Sequence, residues 1–525
     1  MGEGQGRAGR AGRGGAGSGG AGGGGAGRGR GDEGGDGGWL FEPTFNRALK
    51  LRQADPRITS DAGAFLLREA DHRLGLTADL AGQLTDPRRP DRIRYLQVEL
   101  LRQHFYALAL GYAHQDDQDT LAHDVALKLA VWDRPGGRGL HERLASQPTD
   151  HRLLDRLARP SNRRALRAAL SEWVARHQRA AGAGRKVTHG TLDIDPFPIE
   201  VHGRQPGGAY HGYYRQTIYH PLVASFSAGG DYDAPRLGDG FVHAILRCGN
   251  SSSAEGAERF VRTALRQSRP LATHLDVRID AGLVTGRVLD AIDDEGARFV
   301  GRIRSNAVLD AWAEPHLKRP PGRPLQEGDE FAVELGLYQA GEWTRPYRVV
   351  LVVIDLPDAR TGLRGLFPHY FFLVTNGRVE RRSGWELVEH YRRRGTFEDR
   401  LGEFNGAIGN GLSAGSFAAN EASLLLKLLA FNLAGMLRGE LEDASGCGWD
   451  LKRVQQTVLK AGARVVEHSR RVFVDVARAA GVLWDRLLDR MQRWWRADAW
   501  GRRGPRPRRW MPPPRHAHLS LVLRE

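Results

Sequence analysis

The chain has 525 residues, a formal charge of +15, 41% hydrophobic residues and two cysteines. That length supports more than one core, and the charge points to a polyanionic partner, nucleic acid before a membrane surface. Cys248 and Cys447 stand in no CxxC pair and beside no His cluster, which excludes a disulfide framework and a structural zinc site and fits a reducing cytosol.

Residues 1–38 are glycine with scattered arginine and no apolar signal region, a composition that predicts a disordered tail. The region 39–186 reads as α-helical, because apolar residues recur at three and four in "AFLLREADHRLGL" and "RYLQVELLRQHFYALALGY". At residue 187 the texture changes. "VTHGTLDIDPFPIEVHG", "HPLVASFSAG" and "GFVHAILRCG" are strand candidates. A helix opened by Ser253, a strand "THLDVRIDAG" ending at Asp280, a helix "LVTGRVLDAIDDEG" and a strand "ARFVGRIRS" follow. This order predicts an α/β fold, a mixed sheet flanked by helices, over 187–306 and 377–440.

Between those parts, 307–376 reads as a β-rich insertion carrying "EFAVELGLYQAGEWTRPYRVVLVVIDL" and "HYFFLVTN". One helix from about Ser383 to Glu403 should hold Tyr391, Arg394 and Glu398 at i, i+3 and i+7, all on one face. "SLLLKLLAFNLAGML", at 423–437, is broken by Lys427 and Asn432 and reads as a buried helix, not a membrane span. Residues 441–492 are expected to be helical, and 493–525 a basic, disordered tail in which Trp494, Trp495, Trp500 and Trp510 sit among arginines.

Three carboxylates stand out by placement: Asp195 in "LDIDPF", Asp280 in "DVRID" and Glu398 in "YRRRGTFEDR". Oxygen ligands of this kind suit Mg2+ or Mn2+, and two such ions can drive phosphoryl transfer. Each residue taken alone has a plainer reading. Asp195 with Asp193 makes a strand-end carboxylate pair, and Glu398 makes an i, i+4 ion pair with Arg394 worth about 0.3–0.5 kcal/mol. His202, His211 and His220 match no metal-ligand spacing and read as loop or strand histidines near DNA.

Seven stretches in order make the chain recognisable: "ITSDAGAFLLREADHRLGL", "LALGYAHQDDQDTLAHD", "LASQPTDHRLLD", "LDIDPFPIEVHGRQPGGAYHGYY", "RCGNSSSAEGAERF", "VRIDAG" and "YRRRGTFEDRLGEFNGAIGNGL". Over about Thr59 to Gly439 it resembles the DDE transposases of bacterial insertion sequences, in the group with a Tyr, Arg, Glu signature and a β-rich insertion. The resemblance implies a ribonuclease H-like fold, with Asp195, Asp280 and Glu398 as the catalytic, metal-binding triad and Tyr391 and Arg394 on DNA phosphate. It implies metal-dependent cleavage of an element's terminal inverted repeats and strand transfer into target DNA. It further implies a helical N-terminal DNA-binding region, a homodimer in the DNA complex, and a cytoplasmic, nucleoid-associated location.

Trp343, in "GEWTRP", reads first as a part-buried strand aromatic, while the resemblance implies a second reading, since some relatives stack an insertion-domain tryptophan on a flipped base. Two positions depart from the family. Pro196 and Phe197 follow the first acid where a small residue and Thr are usual, and Asn405 stands among the DNA-facing positions where a Lys is usual. They leave open a degenerate relative that binds element ends without transposing them.

Overall fold

The computed structural model describes residues 39–41, 51–52, 57–133, 136–182, 186–229, 238–319, 329–357, 360–468 and 471–494. The expected tail 1–38 and all but the first two residues of the expected tail 493–525 lie outside them. Met1–Asp55 is a unit by itself, in which β1 (Trp39–Phe41) pairs antiparallel with β2 (Leu51–Arg52). All else belongs to a second unit.

That unit opens with β3 (Ile58–Thr59) and then runs through seven helices: α1 (Ala64–Leu74), α2 (Leu76–Gln83), α3 (Gln97–Ala109), α4 (Asp117–Leu121), α5 (Val125–Val131), α6 (Gln147–Leu157) and α7 (Pro160–Ala181). Their apolar faces form one core with later helices, so the helical reading of this region agrees with the structure.

From Val187 the chain builds a sheet. Its first strand β4 (Val187–Pro196) is followed by a small three-stranded sheet, β5 (Ile199–Glu200), β6 (Ala209–His211) and β7 (Gln216–Tyr219). Next come β8 (Leu222–Ala228), β9 (Gly240–Ile245), α8 (Ala257–Ser268), β10 (Ala272–Ile279), α9 (Gly286–Asp294), β11 (Arg298–Ile303), α10 (Ala307–Leu317), β12 (Glu330–Tyr338), β13 (Tyr347–Ile354) and β14 (His369–Thr375). Eight strands share one sheet in the order β12-β13-β14-β11-β10-β4-β8-β9. β10 runs parallel to β4 and to β11, while β8 and β9 are antiparallel. This is the mixed, helix-flanked sheet the element order predicted.

The remainder is α11 (Gly384–Arg392), α12 (Gly395–Ala407), α13 (Phe417–Ser445), α14 (Leu451–Val454), β15 (Ala463–His468), β16 (Arg471–Val476) and α15 (Arg478–Met491). By length and composition α13 could cross a membrane, yet its apolar window is wholly buried. Its two interrupting polar residues are satisfied there. Lys427 Nζ donates to the Gly409 carbonyl at 3.1 Å, and Asn432 pairs with the backbone N–H and C=O of Phe241 at 2.9 and 2.8 Å.

Four local expectations need correcting. α8 starts at Ala257 behind Gly256 in the left-handed region (φ 69°), not at Ser253, because Ser253 belongs to the preceding loop. The 307–376 stretch opens with a helix, α10, capped by Asn306, and its three strands extend the main sheet through β14 on β11. The helix expected over 383–403 is two helices that meet at Arg393 and Arg394. Beyond Trp449 the chain also forms a hairpin, β15–β16, which the alternating "ARVVEH" and "RVFVDV" would permit but whose partner strand β3 lies at residues 58–59.

Candidate active site

The parallel register of β4 and β10 places Ile194 opposite Ile279, so the residues that follow, Asp195 and Asp280, stand side by side at the carboxyl ends of neighbouring strands. Sites on α/β sheets form at such ends. Asp195 is still within β4 and pairs with Val223 of β8 on its other side. Asp280 has left β10, and its Oδ1 accepts from the backbone N–H groups of Gly282 and Leu283, both at 3.1 Å, which fixes the carboxylate.

Glu398 arrives on α12. Ser383 and Glu386 form a capping box that starts α11: the Ser383 hydroxyl accepts from the Glu386 N–H, and the Glu386 carboxylate accepts the Ser383 N–H at 2.7 Å. At the joint the helix tightens. Arg394 N–H bonds to the Tyr391 carbonyl at 2.9 Å and Phe397 N–H to Arg394 at 2.9 Å, both spanning three residues. Arg394 caps the start of α12 and points its guanidinium between two acids. Nη2 donates to Asp195 Oδ2, and Nη1 donates to Glu398 Oε1 at 2.9 Å. One arginine thus ties β4 to α12.

Aromatic packing supports the same link. Phe197 is buried, with its ring 6.3 Å from Phe404 of α12, and Phe404 lies 5.8 Å from Phe241 and 5.9 Å from Phe431. The unusual residue after Asp195 is therefore an anchor for the helix that carries Glu398. Deeper in the sheet, Arg278 of β10 makes a two-pronged pair with Asp193 of β4, both contacts at 2.6 Å, and donates to the His390 carbonyl of α11 at 3.0 Å. Arg400 of α12 holds Asp239 at 2.8 Å and the Phe226 carbonyl at 3.1 Å. Asp193, Arg278, Arg400 and Phe197 were not read as site residues. The one available signal was charge placed inside strand patterns, as in "LDID" and "DVRID".

Electrostatics mark the cluster. Burial, helped by the charges of Asp280, Glu398 and Asp193 and opposed by Arg394, pushes the Asp195 carboxyl up to about 7. Burial lowers the Arg394 pKa, but Asp195, Tyr391, Asp280 and Glu398 more than offset it, so the guanidinium stays charged. Burial raises the phenol of Tyr391, which packs beside the Val300, Val350 and Val388 cluster. Donors that are oxygen only, on carboxylates that repel one another, match a hard divalent cation in kind. Among the described residues, no three His, Cys, Asp or Glu side chains stand close enough to hold an ion, and Arg394 fills the bridging position between Asp195 and Glu398.

The other expected residues are placed differently. Asn405 is exposed on α12, as is Glu398, whose side chain is 64% exposed. Trp343 is only 7% exposed in the β12–β13 connection, its ring 5.6 Å from Tyr338 and 5.5 Å from Tyr347. It faces the core. Trp494 is likewise buried, donating its indole N–H to Glu440 at 3.0 Å, so it does not belong to a phosphate-binding tail. Trp495, Trp500 and Trp510 lie outside the described residues. His211 and His220 meet each other at 4.9 Å beside Tyr214, while His202 is exposed.

The fold presents a mixed sheet flanked by helices, with two acids at adjacent strand ends and a third on a late helix. The chain matches the family described as transposase DDE domain group 1 over residues 41–494 and belongs to it. It is therefore a DDE transposase. No curated protein matches the chain.

Proposed function

We propose that the protein cuts the ends of a bacterial insertion sequence and joins them to target DNA, using Asp195, Asp280 and Glu398. The observation that carries this reading is the β4–β10 register, which sets Asp195 and Asp280 side by side while Arg394 links Asp195 to Glu398. The succession of three antiparallel strands, β4, β8 and β9, and then parallel β10 and β11 supports a ribonuclease H-like core.

In this reading Asp195, Asp280 and Glu398 would hold two divalent ions, Mg2+ or Mn2+, which when bound activate the attacking hydroxyl and stabilise the leaving oxygen. The chain's own side chains position the DNA. Arg394, whose fork spans Asp195 and Glu398 in the structure, would turn that fork to a phosphate when DNA enters at the acids. Tyr391, protonated at neutral pH, would donate a hydrogen bond to phosphate alongside it. Asp280 is pre-oriented by its two backbone donors, and α12 is held in place by Phe404 and Arg400. The substrates are double-stranded DNA with terminal inverted repeats and target DNA, engaged by a homodimer at the nucleoid in the bacterial cytoplasm.

The test is a strand-transfer assay with Mg2+ or Mn2+ on DNA carrying the repeats that flank the gene. Nicked and joined products from the wild type, absent with Asp280→Ala, support the reading. Nicks without joined products would mean a nuclease. Asn405 favours a second reading, an end-binding relative that does not cut, since it places no cation on the exposed face of α12 where the family has one. Binding without cleavage by wild type and Asp280→Ala alike would select it.

A further inference from the structure

The connection from β4 to β8 carries side chains used by neither the acids nor the core. Asp195 pairs with Val223 and Pro196 with Leu222, so this connection leaves and re-enters the main sheet at the Asp195 end. Its hairpin β6–β7 closes with the Arg215 N–H donating to the His211 carbonyl at 2.8 Å. Arg215 has φ 56° and is the one non-glycine residue with positive φ among the described residues. Glycine is the ordinary occupant of that backbone conformation, so the arginine keeps a cation at the tip against the local steric preference. Beside it Tyr213 is 84% exposed and Tyr210 63% exposed.

Tyr213 is exposed but braced. Rings follow inward from it: Tyr213 to Tyr214 at 5.1 Å, Tyr214 to His211 at 4.9 Å and His211 to His220 at 4.9 Å. His220 is buried. Its Nδ1 bonds to the Ser251 carbonyl at 2.8 Å, and its own carbonyl accepts from Arg247 Nε at 2.9 Å. Arg247 also donates to the carbonyls of Ser252, Ser253 and Glu255, which fixes the 247–255 loop. Gly249 of that loop donates to the Gly207 carbonyl at 3.1 Å, and a Cβ there would overlap the carbonyl oxygens of Ile218 and Ala209, so only glycine lets the loop seat under the hairpin. Ser253 lies against Gly282, two residues past Asp280. The loop that follows β10 therefore lies against the loop that braces the column. Tyr214 registers the closeness: burial raises its phenol, and Asp195, Tyr213 and Asp280 raise it further.

We infer that the β6–β7 hairpin is a stacking platform for the element end, with the Tyr213 ring against a terminal base beside the cut and Arg215 against its phosphates. This deepens the transposase reading and rests on it. Tyr213 is exposed, rigidly backed and at the Asp195 edge, whereas the Trp343 ring is packed inside. Stacking on a preorganised ring tolerates any base sequence and costs little ordering entropy.

The test measures affinity of the full chain, without divalent ions, for a duplex bearing the flanking repeat, with its terminal bases either paired or unpaired. Tyr213→Ala should weaken binding of the unpaired end on the order of tenfold with an unchanged salt slope, and Tyr213→Phe should restore it. Arg215→Gly relaxes the turn while removing a cation, so it should flatten the salt slope by about one. Equal affinities for wild type and Tyr213→Ala on the unpaired end overturn the platform, as does a Tyr213→Ala loss of the same size on both ends. Should the wild type bind the unpaired end through Tyr213 yet cut nothing with Mn2+, the platform stands and the catalytic reading fails. Absence of DNA binding by the wild type overturns both.

Discussion

Replacing Asp195 with asparagine should stabilise the metal-free protein while abolishing cleavage. Burial, Asp280, Glu398 and Asp193 hold the carboxyl at about 7 against an ordinary 3.8, despite Arg394. In the unfolded chain the proton leaves near pH 4, whereas in the folded protein it stays until about 7, so between those values the folded state binds more protons. Wild-type stability then falls by about 1.4 kcal/mol per pH unit across that window from this group. The full cost is present above pH 7 and absent below pH 4. Three units correspond to about 4 kcal/mol; asparagine imitates the protonated acid imperfectly, and a gain of about 2–4 kcal/mol is expected at pH 8. Urea denaturation of both proteins at pH 4.5, 6 and 8 in chelator measures it. A gap that does not widen with pH, or a variant less stable than wild type at pH 8, would refute the reasoning. Mn2+ should then stabilise the wild type and leave the variant unchanged.

Arg394→Ala removes a guanidinium that lowers the Asp195 pKa, so the acidic limb of the cleavage pH profile should move to higher pH, along with a rate loss on the order of tenfold or more; an unmoved limb would separate Arg394 from Asp195. Asn405→Lys adds a cation on an exposed turn of α12 and should steepen the salt dependence of DNA binding by about one, read by titration at several salt concentrations. Trp343→Ala should cost about 3–5 kcal/mol in urea denaturation, because its ring packs among Tyr338 and Tyr347, and the folded fraction should bind DNA as wild type does. Breaking the buried Asp193–Arg278 pair with Asp193→Ala should cost a similar 3–5 kcal/mol, since an uncompensated guanidinium is left in the sheet.

Much of this was legible in residue type and local spacing. Alternation and helical periodicity are local properties, so β4, β8, β9, β10 and β11 and the helices between them follow from short windows. The acids at strand ends and the Tyr391, Arg394, Glu398 spacing were equally readable. Pairing across hundreds of residues was not. β15 needs β3 as a partner, and the strands β12–β14 needed β11 before they could be placed in the main sheet. The tightened joint at Arg393 and Arg394 was also hidden, because every residue there has helical backbone angles and only the hydrogen-bond span changes. Burial decided the rest. Trp343 and Trp494 have sequence contexts suited to nucleic acid, yet packing turns both inward, while Tyr213, unremarked among its neighbours, is left facing solvent on a braced column of rings. Which side of a residue faces water depends on what the fold sets against it, and no local window contains that partner.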